Sequence, residues 1–132
     1  MKLMLDTGIC IYLIKQHPPS VLERFLSHPV GDIGISSITV AELDYGVSKS
    51  LHATKNRAAL VQFLSPLEVA SFDRDAAAAY GRLRATLEQK GTPIGSMDLL
   101  IAAHALSLGV RLVTNNAREF RRVPGLRVEN WV

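Results

Sequence analysis

The chain has 132 residues, 48% of them hydrophobic and 20% charged, with a formal net charge of +3. That length and mix suit one globular domain with a single core. The lone cysteine, Cys10, excludes an internal disulfide, and the N-terminus enters a structural element with no leader-like pattern, so the chain reads as complete, cytoplasmic and independent of membranes.

In chain order, "KLMLD" is a short apolar run that ends in an acid and reads as a buried strand. Gly8 or Thr7 then marks a turn into a helix over about 8–15. Pro18 and Pro19 open a second helix, with Val21, Leu22, Phe25 and Leu26 on one face. "DIGISS" is a second strand and "ITVAELDYGVSK" a helix. Ala59, Leu60, Phe63 and Leu64 give residues 53–65 a helical period, and "LEVASF" is a third strand. Asp73 caps a long helix that Gly91 ends. Ser96 opens "SMDLLIAAHALSL", a helix closed by Gly109. "VRLVT" is a fourth strand, and "LRVENW" a candidate fifth. Strand alternating with helix predicts an α/β domain over 1–132 with a mostly parallel sheet of four to five strands.

Functional groups in such a sheet collect beyond the C-terminal ends of the strands. Asp6 falls at such an end. Glu42 lies in the helix after the second strand, Asp98 near the start of the helix before the fourth, and Asn116 and Glu119 just after the fourth. Each also has a plain structural reading. Asp6 could cap the next helix, Glu42 could close a Thr39-x-x-Glu42 capping box, and Asp98 could face the helix dipole. Asn116 could be a turn residue and Glu119 a solvated charge. Against this, Asp98 begins a nearly all-apolar helix, where an acid is costly unless paired, solvated or metal-bound. Several acids at one rim repel one another, and a divalent cation offsets that repulsion. Carboxylates, an amide and the hydroxyls of Thr7 and Thr114 form a hard-oxygen set that suits Mg²⁺ or Mn²⁺. A metal so held can polarise a phosphodiester and activate water. The last quarter of the chain carries Arg111, Arg118, Arg121, Arg122 and Arg127, either a solvated surface or a phosphate-contacting rim.

These residues together resemble a PIN-domain ribonuclease of the VapC type, the toxin of a bacterial toxin–antitoxin pair. The resemblance runs through "MLDTGICIYLIK", "ISSITVAELDYGVSKS", "FDRDAAAAYGRLRATLEQKGTPIGSMDLLIAAHALSLG" and "LVTNNAREFRRVPGLRVENWV". It implies a three-layer α/β/α PIN-like domain and Mg²⁺- or Mn²⁺-dependent cleavage of structured RNA such as tRNA. By position, Asp6 and Asp98 match the principal metal ligands and Glu42 the third acid. Asn116 matches the fourth polar position, with Glu119 completing the set. Thr7, Thr114, Lys15, Lys49, Arg118 and Arg122 are the candidate substrate contacts. The resemblance further implies a homodimer and a VapB-type antitoxin that blocks the acidic site with its C-terminal tail and binds promoter DNA. Gly8 departs from it, standing where the family usually has Asn, so the expected site is complete in ligands but less well ordered.

Two other readings compete. A catalytically silent PIN-fold module would bind RNA or antitoxin and serve in transcriptional autoregulation, with Gly8 as its support. An aspartic protease is suggested by the Asp6-Thr7-Gly8 string and by "PIGS" at 93–96, but such enzymes are almost wholly β and this chain is rich in helix.

Overall fold

The computed structural model describes residues 1–132. Five short strands form one parallel sheet: β1 (Leu3–Leu5), β2 (Ile33–Ser36), β3 (Glu68–Ala70), β4 (Arg111–Val113) and β5 (Val128–Glu129), in the order β3-β2-β1-β4-β5. Seven helices connect and cover them: α1 (Thr7–Lys15), α2 (Pro19–Leu26), α3 (Ser37–Ser48), α4 (Ala53–Leu64), α5 (Arg74–Lys90), α6 (Ser96–Leu108) and α7 (Ala117–Phe120). The sheet is parallel throughout, because every connection carries a helix or a long crossover back to the starting edge.

Side chains that alternate along the strands build two cores. Leu3 and Leu5 of β1, Ile33 and Ile35 of β2 and Val113 of β4 face Ile9, Leu13, Val21, Leu43 and Leu60 of α1 to α4. Met4 and Leu112, on the opposite pleat, face Leu83, Leu87, Leu99, Ile101 and Phe120 of α5 to α7. Helices on both faces make the expected three layers. Cys10 is fully buried in the first core, and its thiol is pushed well above the ordinary range by that burial and by the nearby Asp6 charge.

The helix readings hold to within a residue or so at their ends, and α6 spans the expected segment. The strands are shorter than read: "LEVASF" contributes only Glu68–Ala70 and "LRVENW" only Val128–Glu129. Both are edge strands, where pairing stops once one neighbour is lost. The 3₁₀ turn at Val30–Asp32 and the one-turn α7 were not expected. No helix is long and apolar enough to cross a membrane.

The topology fixes where a site forms. β1 is central: the chain runs outward from it through β2 to β3, then crosses back to β4 on the other side of β1. The crevice beyond the C-terminal ends of β1 and β4 is therefore the switch point of the sheet.

Candidate active site

Asp6 is the first residue past β1. Its N–H donates to the Val113 carbonyl at 2.9 Å, which extends the β1–β4 ladder and draws Asp6 into the crevice. Its Oδ1 accepts from the Ile9 N–H at 2.9 Å, so Asp6 also caps α1. The capping reading is thus realised, and it leaves Asp6 in the crevice. Burial raises its pKa above the ordinary carboxylate value, against the opposing pull of the Thr114 hydroxyl and the Ile9 amide. An Asp-Thr-Gly that ends a parallel strand and caps a helix is not a protease loop. Asp6 caps the turn of α1 that contains Gly8.

Glu42 reaches the same crevice from α3. The expected capping box does not form, since Ser36 caps α3 by accepting from the Ile38 N–H at 3.0 Å and Thr39 lies buried inside the helix. Freed from that role, Glu42 accepts a hydrogen bond from the Thr7 hydroxyl, whose oxygen also lies 3.4 Å from that of Thr39.

Asp98 sits in the first turn of α6 and Glu119 on α7. Gly95, the N-cap of α6, joins them: its N–H donates to Glu119 Oε1 at 2.8 Å. A Cβ at Gly95 would lie 3.6 Å from both Asp98 Oδ2 and Glu119 Oε1, so the two carboxylates flank one point. The Asp98 carboxyl is pushed up to about 7, first by burial and then by the charges of Glu119, Asp6 and Glu42. That list is the signature of a convergent acid cluster: three other acids act on Asp98.

Asn116 lies at this rim in a supporting role. Its N–H donates to Thr114 Oγ1 at 2.9 Å and its amide donates to the Glu119 carboxylate. Several expected substrate contacts are placed otherwise. Thr114 is fully buried and bonded to Asp6 and Asn116, so it orients the acid and cannot meet RNA. The Thr7 hydroxyl is committed to Glu42. Arg122 donates to the Pro93 carbonyl at 3.0 Å and braces the loop that carries Gly95. Lys49 lies seven residues beyond Glu42, roughly 10 Å along α3, with its ammonium 4.7 Å from the centre of the Tyr45 ring. Lys15 lines a groove of about 300 Å³ together with Glu42, Ile11, Leu43 and Asn56, and Arg118 is exposed on α7. Gly95 as a backbone donor was missed; only its place in "PIGS" pointed to it.

No three His, Cys, Asp or Glu side chains are drawn in to metal-ligand distance. Asp6, Glu42 and Glu119 are each held by their own donors. The donor chemistry nevertheless fits a hard cation: the acids act on one another, carry only oxygen, and include a carboxyl that holds its proton to about pH 7 for want of compensating charge. Histidine takes no part. His104 is buried against Ser36 Oγ at 2.8 Å, with burial lowering its pKa, and His28 stacks on Trp131.

The sequence matches the PIN domain family over residues 3–126. It is 49% identical to a tRNA(fMet)-specific endonuclease VapC of Salmonella typhimurium, covering 99% of this chain and 98% of that one. The chain is a PIN domain of the VapC family. It is also 50% identical to Ribonuclease VapC2 of Rickettsia felis, over 97% of this chain and 96% of that protein. Among solved structures, this PIN domain superposes on the DNA-bound VapBC of Salmonella typhimurium with a TM-score of 0.95 at 48% identity, covering 100% of this chain and 99% of that one. The VapBC2 complex of Rickettsia felis bound to a promoter DNA fragment gives 0.90, also at 48%, with both chains fully covered.

Proposed function

We propose that this protein is the metal-dependent endoribonuclease toxin of a VapBC module, acting on tRNA to stop translation in the cytoplasm. The observation that carries the reading is the convergence of Asp6, Glu42 and Glu119 on Asp98 at the switch point of the sheet. Asp6, Glu42, Asp98 and Glu119 come from four separate segments, and fold stability alone gives no reason to gather them.

Asp6, Asp98 and Glu42 would hold Mg²⁺ or Mn²⁺, with Glu119 completing the set. A bound divalent cation would supply Lewis-acid polarisation of the phosphodiester and an activated water. The chain's own groups do the rest. Thr114 and the Ile9 amide fix the Asp6 carboxylate, Thr7 fixes Glu42, and Gly95 and Asn116 fix Glu119. Burial and the neighbouring acids raise the Asp98 pKa to about 7, and a bound cation would favour its carboxylate form. Lys15 and Arg118 are left as the cations free to meet phosphate.

A relative 49% identical is named for tRNA(fMet), so initiator tRNA is the proposed substrate. Neighbouring structures are VapBC complexes on DNA, so a VapB-type antitoxin, a homodimer and promoter binding through the antitoxin are proposed with it. The groove lined by Lys15 and Glu42 would seat the antitoxin's tail beside the acids. The test is to offer the purified chain, freed of partner, transcribed initiator tRNA and elongator methionine tRNA in separate reactions. Cleavage of the initiator alone is expected. Equal cleavage of both would overturn the substrate, and cleavage of no RNA would favour the silent module.

A further inference from the structure

Asn115 is not one of the acids, yet it is aimed at them. Its Nδ2 donates to the Tyr12 hydroxyl on α1 at 2.9 Å, which fixes the plane of the amide. The carbonyl end then lies over Gly8. A Cβ at position 8 would stand 2.8 Å from Asn115 Oδ1 and 3.6 Å from Asp6 Oδ1. A side chain at position 8 would therefore drive the amide away. Gly8 has no positive φ, unlike Gly91, Gly109 and Gly125, so its contribution here is space, not backbone freedom. Asn115 is exposed and its side-chain hydrogen bond runs through Nδ2, so Oδ1, on the Gly8 side near Asp6, has no protein donor.

We propose that Asn115, held by Tyr12 and admitted by Gly8, is a substrate-binding residue that accepts a hydrogen bond from a ribose 2′-hydroxyl of the bound RNA next to the cut. A carbonyl oxygen only accepts. Phosphate oxygens accept as well and offer it no donor. The 2′-hydroxyl is a donor present on every ribonucleotide and absent from DNA. Asn115 thus gives the acid cluster a means of recognising the ribose, and glycine at position 8 leaves room for this position of its amide. This rests on the nuclease reading.

The test uses a tRNA that the wild-type protein cuts, reassembled with single 2′-deoxynucleotides at positions flanking the mapped cut. For the wild type, one such position lowers kcat/KM by about tenfold, the scale of one neutral hydrogen bond. Asn115→Ala is about tenfold weaker on the all-ribose substrate, mainly through KM, and is indifferent to that deoxy substitution. Gly8→Ala shows the same loss, and adds none in the Asn115→Ala background. Asn115 is exposed, so its variant keeps the wild-type unfolding temperature. If Asn115→Ala responds to every deoxy substitution as the wild type does, or keeps full kcat/KM, the proposal is overturned while the nuclease stands. If the wild type cuts no RNA, the nuclease reading falls and this inference falls with it.

Discussion

Gly95 donates its backbone N–H to Glu119 at 2.8 Å, and so pins the acid that follows β4 to the start of the helix that carries Asp98. Glu119 is the nearest cause, after burial, of the raised Asp98 pKa. Glu119→Gln keeps an acceptor for Gly95 and removes the charge. The Asp98 pKa is then expected to fall clearly below 7, read by carboxyl ¹³C chemical shift against pH. An unchanged Asp98 titration would show that burial and the Asp6 and Glu42 charges set it without Glu119.

The same shift makes stability depend on pH. Asp98 titrates at about 7 when folded against an ordinary 3.8. Between those values the folded state holds a proton that the unfolded state has released, so stability falls as pH rises from about 4 to about 7 and levels above that. Buried Asp6 pushes in the same direction. Denaturant unfolding in EDTA should show this slope. Asp98→Asn should flatten much of it and stabilise the protein at pH 8. Buried His104, with its pKa lowered, pushes the other way below about 6.5, so the sign is read from the difference between the two proteins, and a slope that Asp98→Asn leaves unchanged would contradict it.

Thr114→Val removes a fully buried hydroxyl that serves both Asp6 and the Asn116 N–H. The expected cost is about 1–3 kcal/mol of stability, from a lost bond to the buried Asp6 carboxyl and the loss of the Asn116 N–H partner. Activity should fall in kcat with KM little changed, because the residue orients Asp6 without touching RNA. A rise in KM alone would return Thr114 to the substrate contacts.

Arg122 and Arg118 should separate in the same way. Arg122→Ala frees the Pro93 carbonyl and loosens the loop before Gly95, so kcat falls while the salt dependence of RNA binding stays. Arg118→Ala on the exposed face of α7 should instead weaken binding and reduce its salt slope by about one ion. Titrating RNA binding against potassium chloride distinguishes the two.

Much of this architecture is readable in chain order, because caps and periods are local. Asp73 and Gly91 bound α5, and Ser96 and Gly109 bound α6, as their residue types suggest. Acids at strand ends are likewise visible once strand and helix alternate. What stayed hidden depends on contacts across the chain. Ser36 captures the cap of α3, and its Oγ also meets His104, so Thr39 is drawn inside and Glu42 is released. Four residues of α7 are too few to show a period. Thr114 and Arg122 look like surface polar residues until their partners Asp6 and Pro93 are placed beside them. Asn115 could not be told from Asn116 by sequence, although their amides bond to Tyr12 and Glu119 respectively.

The most direct test is cleavage of total tRNA by the purified chain, freed of partner, with Mg²⁺, with Mn²⁺ and with EDTA, beside Asp98→Ala. Discrete fragments that require metal and disappear in the variant are expected. Fragments that persist in EDTA, or in Asp98→Ala at the wild-type rate, would contradict the assignment of the acid cluster as the catalytic centre.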